Sequence, residues 1–531
     1  MKMKIYSLKI RFLMVLAMPF VLGLNSCTKN FLDKNTNPAQ VKENMLGYDN
    51  LSVGGFFLQM QQNVFTLDVN AYQVGQNLIG DIYSGYMAPS GNWFSSRNNS
   101  NYALIPDWNG AAFNIGFTKV MPAWKQIITR ADAANPALPA IATIIKVAAM
   151  QRVTDIYGPI PYIKFGTSSL TTPYDDQEKV YDALFADLNN SITTLTTYIA
   201  NFPASKPLQN YDLIYGGNAT EWVKFANSLK LRMAVRIAYA NPTKAQKYAE
   251  EAVNHSIGVF TTNQDNAILK SGGGIIVNNP LKYLWNDYGD IRMGASMESY
   301  LTGFNDPRIS KYFSFSTLTG LTSSYKGIRN GAIISDKSKY APFSAPAVDP
   351  STPVKWMLTS EVFFLKAEGA LRGWNMGGTV QSLYETGVRT SFEYLGAGDA
   401  TDYLNGTTIA SAYVDPVNAT NNATPSSTLG VKWNEAGGFE EKLERIITQK
   451  WLGGFPDGQE AWSEFRRTRY PKIFTVSNNF SGGVINTNIQ IRRIPFPIGE
   501  YNNNAAEVAK AISLLGGDDN GGTKLWWDKK P

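Results

Sequence analysis

PALPAIATIIKVAAMQRVTDI, residues 136–156, carries Ile141, Ile144, Ile145, Ala148 and Val153 near one face, and Gly158-Pro159 follows almost at once. Apolar residues at steps of three and four line one side of an α-helix, and a Gly-Pro pair cannot continue one, so the stretch predicts a helix with a sharp end. Residues 176–200 repeat the pattern with Val180, Leu184, Leu188, Ile192 and Leu195. An acidic first turn of Asp175, Asp176 and Glu178 suits the positive end of that helix. Together they predict a helical hairpin.

Working outward, the pairing recurs. ATEWVKFANSLKLRMAVRIAYA (219–240) is followed by Pro242, a residue suited to a helix start, and by TKAQKYAEEAVNHSI (243–257). SEVFFLKAEGALRGW (360–374) stands before TVQSLYETGVRTSFEYLG (379–396), and GFEEKLERIITQKWLGGF (438–455) before a helix around Glu460 to Arg466. Small residues such as Ala367, Gly369 and Ala370 suit close helix crossings. The reading is a mostly α chain of about four tetratricopeptide-like hairpins in a single body, with no strict 34-residue period. Two long insertions, 258–358 and 397–436, are rich in Gly, Asn, Ser, Thr and Pro and predict irregular loops. Tyr283, Trp285, Tyr288, Tyr300 and Phe304 in the first of them predict an ordered one.

Residues 1–11 carry four positive charges and residues 12–24 (FLMVLAMPFVLGL) are apolar but short of the roughly 20 needed to span a bilayer. Leu24-Asn25-Ser26-Cys27 then resembles a bacterial lipobox, and Cys27 is the only cysteine in the chain. The expected organisation is a signal peptide over 1–26, a lipidated terminus and linker over 27–40, and a globular domain over 41–531. Lipidation at Cys27 would tether that domain to a membrane without a spanning helix, each buried methylene contributing about 0.8 kcal/mol.

With 531 residues, 44% hydrophobic and 17% charged, the chain can bury a full core. One Cys excludes a disulfide framework and Cys-rich zinc or iron–sulfur sites, and one His, His255, excludes two-His zinc sites. One His still permits Ser-His-Asp chemistry, but His255 stands at a helix end between Asn254 and Ser256 with no G-x-S-x-G motif, so carboxylates are the favoured agents of any catalysis. The formal charge of +6 falls to +2 once Lys2, Lys4, Lys9 and Arg11 leave with the signal, so no field steers nucleic acid and none is expected as a partner. No cofactor or metal is expected; Asp518-Asp519-Asn520-Gly521 lacks the acidic spacing and the Glu of a calcium loop.

Several landmarks resemble one family, the SusD and RagB lipoproteins that bind nutrients at the outer membrane of Bacteroidetes, in particular the second SusD-like subfamily. They are FLDKNTNP (31–38), TDIYGPIPY (154–162), WVKFANSLKLRMAVRI (222–237), NDPR (305–308), SEVFFLKAEGALRGW (360–374), QKWLGGFPDGQEAWSEFRRTRYP (449–471), RRIPFP (492–497) and GGDDNGGTKLWWDKK (516–530). The resemblance implies a SusD-like fold and a surface-exposed binding protein with no catalytic step. It would capture a glycan, or in some members a peptide, and deliver it to a SusC-type TonB-dependent transporter. Arg232 and Arg236, spaced to lie on one helical face, read as braces for loops, and the arginines of RRTRYP and RRIPFP as braces of the repeat body against the irregular part.

A sugar offers apolar faces ringed by hydroxyls, so its site needs exposed aromatic platforms beside short polar groups. DIYSGYMAPSGNWFSSRNNSNYALIPDW (81–108) is the densest such combination, and its candidates are Tyr83, Tyr86, Asn92, Trp93, Phe94 and Arg97. YLWNDYGD (283–290) adds Trp285, Asp287 and Tyr288. Trp451, Trp462, Trp526 and Trp527 read as core or bracing residues. Two other classes stay open: a carboxylate-dependent glycoside hydrolase, which needs two acids about 5 to 10 Å apart across the sugar, and a repeat protein whose only ligand is its membrane partner.

Overall fold

The computed structural model describes residues 51–132, 135–167, 171–425 and 427–530. Cys27, the signal segment and the linker therefore lie outside the described residues. The helix expected from PALPAIATIIKVAAMQRVTDI is α1, Ala137–Tyr157. Every residue in it except Pro139 and Thr143 is buried, where the periodicity predicts one buried face. It is long and apolar enough to cross a membrane by composition, but here it is the central helix, wrapped by neighbours. It stops at Gly158, whose φ of 87° and ψ of −117° a side chain would resist.

α2 (Gln177–Asn201) lies antiparallel on α1 and is capped by the Asp176 carboxylate, which accepts from the Lys179 amide. α3 (Ala219–Arg236) packs on α1 and α2, capped by Asn218, and α4 (Pro242–Val253) folds back on α3 behind an Asn241 cap. α5 (Thr359–Leu371) packs on α3 and pairs with α6 (Val380–Leu395). Gly387 lets these two cross closely, since a Cβ there would stand 2.7 Å from the Phe364 ring. α7 (Phe439–Gly453) lies on α5 and α6. The fourth pair is opened out: α8 (Gly458–Thr468) turns from α7 to pack on α1 and on the wide-wound helical stretch Gln73–Asp81.

Buried charges tie these helices together. Arg232 of α3 grips Glu361 of α5 at 2.6 Å, and Arg236 reaches Asp155 of α1 at 3.3 Å and Glu460 of α8 at 2.6 Å. Lys450 of α7 meets Glu460 at 2.8 Å, and Arg467 bridges Glu368 and Glu464, both at 2.6 Å. Burial pushes the Glu464 carboxyl up, but Arg467, Lys450 and Arg236 outweigh it and hold it well below the usual range. The expected braces from RRTRYP and RRIPFP are present. Arg466 stacks 3.5 Å over the Trp462 ring, Arg492 pairs with Asp528 at 2.6 Å, and Arg493 pairs with Asp519. That carboxylate also accepts from the Phe496 amide and the Tyr501 hydroxyl.

Two short antiparallel ladders order the first insertion. β1 (Met87–Pro89) pairs with β3 (Ile291–Met293), and β2 (Ala267–Leu269) with β4 (Val354–Met357). The first ladder, joining strands remote in sequence, positions the site described next.

Candidate functional site

β1 and β3 run antiparallel with Pro89 opposite Ile291, so the chain leaving β1 and the chain entering β3 share one end of the ladder. Ser90 extends the pairing: its amide donates to the Asp290 carbonyl at 2.8 Å and its hydroxyl to the Gly289 carbonyl at 2.8 Å. The two aromatic clusters read from the sequence, around Trp93 and around Trp285–Tyr288, therefore emerge side by side. Two further loops join them. The Ser96 hydroxyl donates to the Ile334 carbonyl at 3.3 Å and accepts from the Ile334 amide at 2.9 Å, and the Phe480 amide donates to the Asn101 carbonyl at 2.8 Å.

The tip of the first loop is strained. Phe94, Ser95 and Ser96 have φ of 53°, 53° and 60°, three successive non-glycine residues in the left-handed region. Each costs about 1–2 kcal/mol relative to ordinary backbone, so such a turn persists only where its surroundings over-determine it. Buried amides do this. Asn98 donates to the Trp93 carbonyl at 3.2 Å, its own amide donates to the Asn101 side chain at 3.0 Å, and the Asn101 side chain donates to the Ser96 carbonyl. The polar residues of GNWFSSRNNSN thus divide into exposed ones and buried ones that hold the turn.

The turn presents an aromatic surface. Phe94 is 58% exposed, Trp93 and Trp108 are half-buried, and both Trp93 and Phe94 meet the Trp108 ring edge-on at 6.2 and 5.6 Å. Asn92 and Arg97 are exposed, and the Arg97 guanidinium lies 4.5 Å over the Phe480 ring. On the neighbouring loop Tyr288 is 39% exposed and donates to the Asn70 side chain at 3.1 Å. Trp285 is half-buried with its indole N–H on the Val348 carbonyl at 2.9 Å, and Arg292 holds the Trp285 carbonyl at 3.0 Å. Asp287 is exposed and pairs with Lys282 at 3.0 Å; the Asn286 and Lys282 donors hold its carboxyl below the usual range.

Tyr83 and Tyr86 do not belong to this surface. Tyr83 packs against Trp462 at 5.2 Å and Tyr102 at 6.2 Å, and Tyr86 stacks on Trp451 at 5.4 Å while its hydroxyl donates to the Trp451 carbonyl. Both rings are buried and offer no face to a ligand. Composition places them in the aromatic segment, but they precede β1, on the stretch that enters the core. Trp451, Trp462 and Trp527 are buried as expected, and Trp526 is half-buried. Phe480 joins the surface beneath Arg97 from a distant loop, and a single aromatic residue in a polar loop carries no local sequence signal. Among the described residues no cluster of three His, Cys, Asp or Glu side chains could hold a metal ion.

A family model for SusD-like chains, described as SusD and RagB outer membrane lipoproteins, matches residues 33–528. Among solved structures, a chitin-binding SusD homologue from Flavobacterium johnsoniae is 42% identical with a TM-score of 0.87, over 90% of this chain and 98% of that one. A SusD homologue from Bacteroides uniformis is 40% identical with a TM-score of 0.84, over 90% and 99%. One from Bacteroides vulgatus is 35% identical with a TM-score of 0.84, over 91% and 98%. No curated protein matches the chain. Family model, helical body and structural relatives agree, and the chain belongs to the SusD-like family of outer membrane lipoproteins.

Proposed function

We propose that this chain is a surface-exposed lipoprotein, acylated at Cys27, that binds a glycan and delivers it to a SusC-type TonB-dependent transporter without a catalytic step. The observation that carries the reading is the rigid aromatic surface of Phe94, Trp93 and Trp108 at the meeting of four loops, on a chain of this family. A stacked sugar needs a flat apolar face bordered by amide and hydroxyl groups, and Asn92, Ser95 and Arg97 border this one. The chitin-binding relative makes β-linked N-acetylglucosamine oligosaccharide the first ligand class to test. Binding without cleavage accords with the pairing of the acids: Glu361, Glu460 and Glu464 lie inside the helical body, neutralised by Arg232, Arg236, Lys450 and Arg467, and beside the platform Asp287 and Asp290 are paired with Lys282 and Lys337.

The test is titration of the purified chain, without its signal segment, with oligosaccharides and with peptides, each mixture then examined for products. Saturable binding of an oligosaccharide left intact is expected. Cleavage, or binding of peptide alone, would contradict the reading.

A further inference from the structure

Arg97 carries a charged side chain that is held beside the platform without a polar partner among the described residues. Its backbone is pinned on both sides: its amide donates to the Phe94 carbonyl at 3.0 Å, Ser96 before it is locked to Ile334, and Asn98 after it is buried in the amide network. Its guanidinium is held 4.5 Å over the Phe480 ring, and Phe480 is itself hydrogen-bonded to Asn101. Among the described residues the guanidinium makes no hydrogen bond or ion pair with protein. A planar fork of N–H donors, stacked on one face, keeps its edges free for an oxygen acceptor in its own plane.

We propose that Arg97 reads the acetamido carbonyl of an N-acetylated sugar stacked on the neighbouring aromatic surface, and so sets specificity for N-acetylhexosamine over hydroxyl-only glycans. This rests on the glycan reading and narrows its ligand. An amide carbonyl only accepts and offers both its lone pairs in the plane of the fork, whereas a ring hydroxyl accepting there must also turn its own proton away to another acceptor. A polyanionic glycan fits less well. Beside the platform Lys282 is paired with Asp287 at 3.0 Å and Lys337 with Asp290 at 2.8 Å, so these lysines offer little unpaired positive charge to a polyanion.

Chitohexaose and cellohexaose share a β-1,4 backbone and differ in the acetamido group, so the ratio of their affinities isolates the contact. The native chain is expected to prefer chitohexaose at least tenfold, Arg97→Ala to reduce that preference below about threefold while still binding cellohexaose, and Arg97→Lys to behave like Arg97→Ala because it lacks the planar fork. Equal thermal midpoints for the three proteins would separate recognition from folding. A preference retained in Arg97→Ala overturns the assignment and leaves the glycan reading intact, as does tighter binding of an oligogalacturonate than of chitohexaose. Failure of the native chain to bind any oligosaccharide overturns both.

Discussion

At the scale of single residues, backbone conformation and burial separate roles that composition merges. Phe94 and Tyr86 are both aromatic residues of one segment, but one is lifted out by a left-handed turn and the other is sealed beneath Trp451. The sequence shows the richness of the segment; it does not show the turn, because Phe-Ser-Ser has no preference for positive φ and adopts it through Asn98, Asn101 and Ile334. Ser95 is exposed and strained at φ 53°, so Ser95→Gly should stabilise the protein by up to about 1 kcal/mol, seen as a higher urea midpoint. A lower midpoint would show that the turn is not strained there. Asp81 supplies a second case. It is buried without a contacting cation, receives Gln76 at 2.9 Å and Asn77 at 3.0 Å, and burial pushes its carboxyl up to about 7 against these donors. Between about pH 4 and 7 the folded chain therefore keeps a proton that the unfolded chain loses, so this group's contribution to stability falls as pH rises through that window, by at most about 4 kcal/mol. Asp81→Asn should flatten this part of the stability–pH curve; an unchanged slope would refute the assignment.

At the scale of elements, the helices are legible because periodic apolar residues and their caps lie within each segment. Asp176, Asn218, Asn241 and Thr379 cap the helices whose starts the sequence indicates. The departure of α8 from α7 is not legible, since the four residues between them say nothing about direction and the partner, Gln73–Asp81, is far away in the chain. The same holds for β1 and β3, whose pairing brings two aromatic loops together that the sequence shows only as separate clusters. Arg232 and Arg236 share one helix face, as the sequence indicates, but they brace helices where loops were expected: the carboxylates they meet come from three other helices, far away in the chain. These interior pairs are strong tests of the helical frame. Arg467→Ala would leave Glu368 and Glu464 buried beside a lost partner and should cost about 3–5 kcal/mol in urea unfolding. Arg389→Ala, which removes an exposed pair with Asp399 at 3.4 Å, should cost under about 1 kcal/mol. Equal losses would mean that the interior charges do not act as braces.

At the scale of the whole molecule, a stable helical body carries a small, stiff aromatic surface, and the proposed lipid on Cys27 would keep that surface at the membrane. Cys27→Ala should then leave the body folded and release it from membranes; retention after a high-salt wash would show another mode of attachment. Phe94 tests the platform more cleanly than Trp93, which is half-buried against Trp108 and Gly91 and whose removal would also disturb the loop. Aromatic stacking on a base is worth about 1–3 kcal/mol, and that scale applied to a sugar sets the expected effect. The decisive measurement is calorimetric titration of chitohexaose into the native chain and into Phe94→Ala, with thermal unfolding of both. The variant is expected to bind about five- to a hundredfold more weakly with no change in the unfolding midpoint; equal affinities in the two proteins would show that Phe94 is no part of a sugar platform.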